Sequence, residues 1–177
     1  MNIKLIKPTD MWKNQIDDYK AEFVKNGETI HGSALLGDYE TFEEWYSDVL
    51  KNSCEQTVAE GWVPSSTLMG IDEDNRLVGF IDIRHRLNDY LEQFGGHIGY
   101  SIRKSERRKG YATQMLKQAL NIAKDLGISN VLITCEKSNV ASASTIRKCG
   151  GILENEIVED ITLGEQGIIQ RYWIATS

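Results

Sequence analysis

Five cations crowd one short stretch near the middle of this chain: Arg103, Lys104, Arg107, Arg108 and Lys109, with Glu106 the only acid among them. They lead directly into Gly110, Tyr111, Ala112 and Thr113. Before the cluster, β-branched and aromatic residues spread over 97–103 predict a strand. After it, Ala112, Met115, Leu116, Ala119, Leu120 and Ala123 recur at three- and four-residue steps, which predicts a helix over 110–126 with Gly127 at its C-terminal cap. The first turn of a helix carries unpartnered N–H groups and the positive end of the dipole, so the junction favours an anion. Gly110 removes a side chain where a phosphate would approach the backbone. On charge alone a solvated basic turn is the plain alternative; the glycine at the helix start points to phosphate. The chain as a whole carries a net charge of −6, so the cluster stands against the background sign. The same net charge argues against general nucleic-acid or anionic-membrane binding.

Arg107-x-x-Gly110-x-Ala112, following a strand and opening a helix, resembles the Arg/Gln-x-x-Gly-x-Gly/Ala signature of the GNAT superfamily of acyl-CoA-dependent N-acetyltransferases. A second unit follows in the expected order: a strand over 131–136, Asn139-x-x-Ser142, and a helix closing at Gly150-Gly151. The resemblance implies acetyl-CoA as cosubstrate, bound between two strands that splay apart. Tyr100, Ser101 and Ile102 would then offer backbone groups to the pantetheine arm. The turn of Arg107, Arg108, Lys109, Gly110, Tyr111, Ala112 and Thr113 would cradle the pyrophosphate. Asn139, with Ser142 beside it, would reach the pantetheine amide.

Moving an acetyl group from a thioester to an amine requires a neutral amine, a stabilised carbonyl oxygen and a proton for the departing thiolate. A backbone N–H of the splayed strand suits the second task. His97 and Glu136 are the candidate bases. In relatives the base on this strand falls at the positions of Gly96 or Ile98, so His97 faces the opposite way unless a bulge near Gly95-Gly96 rotates it. A lone strand histidine more often serves structure, and the plain reading of Glu136 is a solvated strand terminus. The tyrosine that many relatives place seven residues after the asparagine and four before the closing glycine is Ile146 here, which donates no proton. Cys149, Ser144 and Tyr172 lie nearby without matching that position. An acyl-CoA-binding regulatory module without turnover is therefore the alternative. A nucleotide-binding fold lacks support, because neither Gly-x-Gly-x-x-Gly nor Gly-Lys-Ser/Thr occurs.

The elements that must position these groups are readable in outline. A short strand at 2–7 precedes a helix opening near Pro8-Thr9-Asp10, carrying Trp12, Ile16, Tyr19 and Phe23, and closing at Gly27. Residues 28–40 show no period and read as a loop that, by the resemblance, recognises the amine together with faces such as Trp45 and Tyr46, although aromatics at helical spacing more often belong to a core. Thr41-Phe42-Glu43-Glu44 is a capping box opening a second helix. Strands at 66–72 and 77–86 form a hairpin across Asp74-Asn75. Within the second, Arg84-His85-Arg86 could attract an acidic group, a solvated strand end being the plainer reading. A connector over 88–96 leads to the central strand. A helix over 141–148 and a closing hairpin, 152–160 and 168–175 about a turn at 164–167, complete the chain. The order predicts an α+β fold: a mixed, mostly antiparallel sheet of about seven strands with helices on both faces, GNAT-like in arrangement. The two strands flanking the 110–126 helix should run parallel.

At 177 residues, 41% hydrophobic and 26% charged, the chain fits a single domain, 1–177, with a sizeable core. No window approaches a membrane span and no signal peptide is evident, so a cytoplasmic location is expected. Cys54, Cys135 and Cys149 are odd in number and lack metal-ligand spacing, which suits reduced thiols and no metal. The expected partners are acetyl-CoA and an amine, either a small molecule or a protein amine. The final hairpin offers an edge on which a homodimer could pair.

Overall fold

The computed structural model describes residues 2–162 and 165–176. These form β1 (Lys4–Ile6), α1 (Lys13–Asn26), α2 (Phe42–Lys51), β2 (Ser65–Ile71), β3 (Leu77–Arg84), β4 (Ile98–Ile102), α3 (Tyr111–Asp125), β5 (Asn130–Glu136), α4 (Val140–Lys148), β6 (Ile152–Thr162) and β7 (Glu165–Ala175). The α+β class stands, with one refinement. The strands divide into two sheets, β1-β2-β3-β4 and β5-β7-β6, and every pairing within them is antiparallel. Among the described residues, no helix is long and apolar enough to cross a membrane.

Local chemistry accounts for the boundaries. At α2, Thr41 Oγ1 accepts from the Glu44 N–H while Glu44 Oε2 accepts from the Thr41 N–H, so two end donors are satisfied reciprocally. Helix α1 stops where Gly27 takes φ 64°, and its N–H turns back to the carbonyls of Phe23 and Val24. One expectation needs correction. Gly167 lies inside β7, paired with Glu159, because the two strands keep their ladder further than the glycines suggested. Residue 164 of the expected turn lies outside the described residues.

Two cores lie on opposite faces of the first sheet. Ile16 and Tyr19 of α1, Trp45 of α2 and Phe80 of β3 are fully buried together. Trp45 is thus core rather than a recognition surface, and its Nε1 donates to the Ser33 carbonyl at 2.8 Å, anchoring the loop between α1 and α2. The other core joins Ile81 of β3 and Ile98 of β4 to Val131 and Ile133 of β5, roofed by Met115 and Leu116 of α3 and Ile146 of α4. Each such side chain contributes about 1.5–3 kcal/mol by leaving water. This second core spans both sheets, so it holds β4 beside β5 without a hydrogen-bonded ladder between them.

Candidate functional site

The strands β4 and β5 meet at an apex and then part. His97 donates its N–H to the Leu132 carbonyl at 2.7 Å, and the Leu132 N–H donates to His97 Nδ1 at 2.9 Å. Beyond this point the two strands belong to separate sheets. On its other side β4 bonds to β3: the Arg84 N–H reaches the His97 carbonyl at 2.8 Å, and the Arg103 N–H reaches the Val78 carbonyl at 3.0 Å. Antiparallel bonding alternates residue by residue. The backbone groups of Ile98, Tyr100 and Ile102 therefore face the wedge, and those of Ser101 face β3. Arg107 Nε already donates to the Ile102 carbonyl at 2.9 Å. Ser101 is engaged elsewhere too, its hydroxyl donating to the His31 carbonyl at 2.6 Å and lying 3.0 Å from the Tyr19 hydroxyl.

His97 owes its orientation to the connector. A single π turn, Leu91–Gly95, closes through the Gly96 N–H, and Gly96 itself adopts φ 65°. This irregularity turns the imidazole sideways into the edge of β5. Burial, reinforced by the Arg84 guanidinium, pushes the His97 pKa down to about 4. The ring is a neutral acceptor at Nδ1 and fills a place that a carbonyl would take in a continuous sheet.

The cation cluster is largely neutralised within the fold. Arg103 is buried, with Nη2 at 2.7 Å from Asp18, Nε at 2.6 Å from Glu22 and Nη1 donating to the Leu77 carbonyl. Lys104 reaches Asn26, Arg107 pairs with Glu28, and Lys109 pairs with Glu106 at 2.7 Å. The acids Asp18, Glu22 and Glu28 sit far back in the sequence, on α1 and just beyond it, so the pairing is a tertiary event. Among the described residues neither Lys104, on the neutral Asn26, nor Arg108 has an ion pair; Arg108 is exposed at φ 65°. What remains open to an anion is the start of α3. Gly110 is its N-cap at φ 84° with no side-chain cap, and a Cβ built there would meet nothing within 4 Å. The N–H groups of Tyr111, Ala112 and Thr113 thus end at open space, while the Tyr111 ring is buried in the core.

The floor of the wedge is polar at one point. The Tyr100 hydroxyl lies 2.9 Å from Ser142 Oγ, joining β4 to the first turn of α4. Asn139 caps that helix, its Oδ1 accepting from the Ser142 N–H at 3.0 Å. Ile146, one turn later on the same face, is fully buried in the core. Burial raises the Tyr100 pKa to about 12. Glu136 stands exposed at the far end of β5 and accepts from the Ser138 hydroxyl at 3.1 Å. At about 3.3 Å per residue it lies some way beyond the apex.

On the α1–α2 side of β4 lies a cavity of about 480 Å³, walled by the 29–35 loop and floored by β2 and β3. The loop lies flat on β4: a Cβ at Gly32 would fall 2.2 Å from the Gly99 carbonyl oxygen. Two charged groups at the cavity floor escaped the sequence reading as a pair. Asp82 is buried, with Oδ1 accepting from Thr67 Oγ1 at 2.8 Å. Arg84 Nε lies 3.9 Å from Asp82 Oδ2, and Arg84 Nη1 donates to the Gly95 and Gly96 carbonyls at 3.0 and 3.1 Å. Asp82 was visible in principle, as the one charged residue inside the apolar run from Leu77 to Ile83.

The family described as Acetyltransferase (GNAT) domain matches residues 12–152. The Uncharacterized N-acetyltransferase YjdG of Bacillus subtilis (strain 168) is 35% identical over 63 residues, a match spanning 35% of this chain and 38% of that relative's length. Among solved structures, the spermidine N-acetyltransferase of Vibrio cholerae in complex with CoA and spermine superposes with a TM-score of 0.68 at 16% identity, covering 98% of this chain and 95% of that one. The yncA structure from Salmonella typhimurium, with acetyl-CoA, gives a TM-score of 0.67 at 12% identity over 99% of this chain and 94% of the other. At such identities the likeness establishes the fold.

Proposed function

Since this chain belongs to the GNAT acetyltransferase family, we propose that it transfers an acetyl group from acetyl-CoA directly to a primary amine. The observation that carries the reading is the wedge: β4 and β5 held together at His97 and Leu132, with the backbone edge of Tyr100 unpaired by β5 beyond them. That edge is a strand template for an extended amide-bearing arm. At its mouth the open first turn of α3, at Gly110, accepts a diphosphate, with Arg108 as the cation at hand. Asn139 lies where the arm's amide would pass. The named relatives that hold CoA or acetyl-CoA support the same assignment.

Acetyl-CoA supplies an activated acyl carbon and a thiol leaving group. The amine approaches through the cavity lined by the 29–35 loop, Asp82 and Arg84. Its nitrogen forms the new C–N bond, the C–S bond breaks, and the electron pair leaves with sulfur. An N–H at the wedge, from Ile98 or Tyr100, stabilises the carbonyl oxygen as charge builds. The Tyr100 hydroxyl protonates the departing sulfur from the floor of the wedge and recovers its proton from solvent. His97 pins the apex, since Nδ1 is already an acceptor and the ring stays neutral. Glu136 stands too far along β5 to meet the amine. The amine's proton passes to Asp82 or to cavity water.

Thiol release from acetyl-CoA, followed with a panel of primary amines alongside a CoA titration, tests the reading. Amine-dependent release is expected. CoA binding without release for any amine would return the chain to a binding module, and absence of CoA binding would remove the wedge as its site.

A further inference from the structure

The floor of the 480 Å³ cavity holds two opposite charges at the point nearest β4. Asp82 is the β3 partner of Gly99 in the strand register, and Arg84 follows it on the same face. Arg84 Nη2 lies 3.7 Å from the position a Gly99 Cβ would take, at the edge of the Gly32 backbone, whose N and Cα cover that position at 3.4 Å. Both side chains are largely removed from water, at 7% and 24% exposure, and their closest approach is a loose 3.9 Å. Asp82 Oδ1 is taken by Thr67 and Arg84 Nη1 by two backbone carbonyls. Asp82 Oδ2 and Arg84 Nη2 are the atoms left to address a ligand. Desolvated charges of this kind gain most from a partner of opposite sign held in fixed geometry. The walls are of another character: Val49, Val63 and Leu91 line the cavity, and Trp62 and Tyr90 stand exposed among its lining residues.

From this we infer that the acceptor is a small zwitterion, an α-amino acid with an apolar side chain. Its carboxylate sits on Arg84 Nη2, its amino group lies on Asp82 Oδ2 beside the Gly32 backbone, and its side chain meets the apolar walls. The inference rests on the acetyl-transfer reading for its chemistry but on the cavity alone for its ligand. A polyamine would bring a second cation towards Arg84. A simple alkylamine would leave Arg84 Nη2 without an anionic partner at the cavity floor. In an α-amino acid two bonds separate nitrogen and carboxyl carbon, which matches charges this close together.

The test compares amino acids with their own decarboxylated partners: L-leucine with 3-methylbutylamine, and L-phenylalanine with 2-phenylethylamine, with spermidine as a further acceptor. Thiol release and calorimetric binding to the CoA-loaded protein are both measured. Each amino acid is expected to exceed its partner by about 10- to 100-fold in kcat/KM, the scale of one hydrogen bond to a charged group. Arg84→Gln should erase that preference. Asp82→Asn, which keeps shape and the Thr67 contact, should weaken both members of each pair. Decarboxylated amines or spermidine performing as well as amino acids would overturn the proposal, as would an undiminished preference in Arg84→Gln. If no amine releases thiol, the transfer reading fails, but amino-acid binding abolished by Asp82→Asn and by Arg84→Gln would still uphold the subsite. Absence of amino-acid binding in the unaltered protein overturns it.

Discussion

His97 grips Leu132 twice, its N–H on the Leu132 carbonyl at 2.7 Å and its ring Nδ1 under the Leu132 N–H at 2.9 Å. Burial and then the Arg84 charge lower the imidazole pKa from 6.5 to about 4. Between those values the unfolded chain binds a proton that the folded chain does not, so stability rises with pH through the window. His97 imposes no such penalty above about pH 6.5. The penalty grows as pH falls and levels off near pH 4, at a size on the order of 3 kcal/mol. Urea unfolding of the unaltered protein and of His97→Gln at pH 7 and pH 4.5 should show a shallower pH dependence in the variant. Parallel slopes would mean that the ring is not held neutral in the fold.

Gly110 separates backbone strain from ligand exclusion. Its φ of 84° makes any side chain cost about 1–2 kcal/mol, yet a Cβ there meets no neighbour within 4 Å. Gly110→Ala should therefore lose a little stability and keep most of its CoA affinity. Gly110→Glu should keep the same fold and lose CoA affinity by roughly 100-fold or more, because a carboxylate would stand where the proposed diphosphate would. Calorimetric titration of both variants checks this, and retained affinity in the Glu variant would move the diphosphate away from α3.

Arg103 and Arg108 look alike in sequence and should behave differently. Arg103 is buried between Asp18 and Glu22. Arg103→Met should cost about 1–3 kcal/mol of stability, since it takes the guanidinium from the largely buried Glu22 carboxylate and the donor from the Leu77 carbonyl, while Asp18 stays in water. Arg108→Ala should leave stability within about 0.5 kcal/mol and weaken CoA binding by a factor of about 5–10. Denaturant titration and calorimetry on the two variants would reveal a swapped pattern if the roles were reversed.

Tyr100→Phe removes the hydroxyl 2.9 Å from Ser142 Oγ and little else. As proton donor to sulfur, that hydroxyl should be worth roughly 10²-fold or more in kcat, with the KM for acetyl-CoA little changed. Fluorinated tyrosines at the same position, which retain the shape and alter phenol acidity, should give graded kcat values. A flat series would leave Tyr100 as a tie between β4 and α4.

How much of this was readable beforehand follows from the range of each interaction. Gly27 ending α1, Thr41 with Glu44 opening α2, and Gly110 starting α3 are contests within a few residues, and the side chains that decide them are adjacent in the chain. The strand–turn–helix unit and its family resemblance were therefore legible from residue order. The parity of His97 was readable as a problem, but its solution depended on the π turn at Leu91–Gly95.

By itself, then, the sequence determined the order of elements, their caps and the open helix start. The tertiary structure alone decided which charges remain available. Arg103 and Arg107 meet Asp18, Glu22 and Glu28 only once α1 lies against the end of β4, and Asp82 and Arg84, neighbours on one strand face by their spacing, line a cavity only once the loop at Gly32 packs onto Gly99. Capping acts through neighbouring backbone groups, whereas charge pairing acts through space, between residues that only the packed sheet and helices bring together.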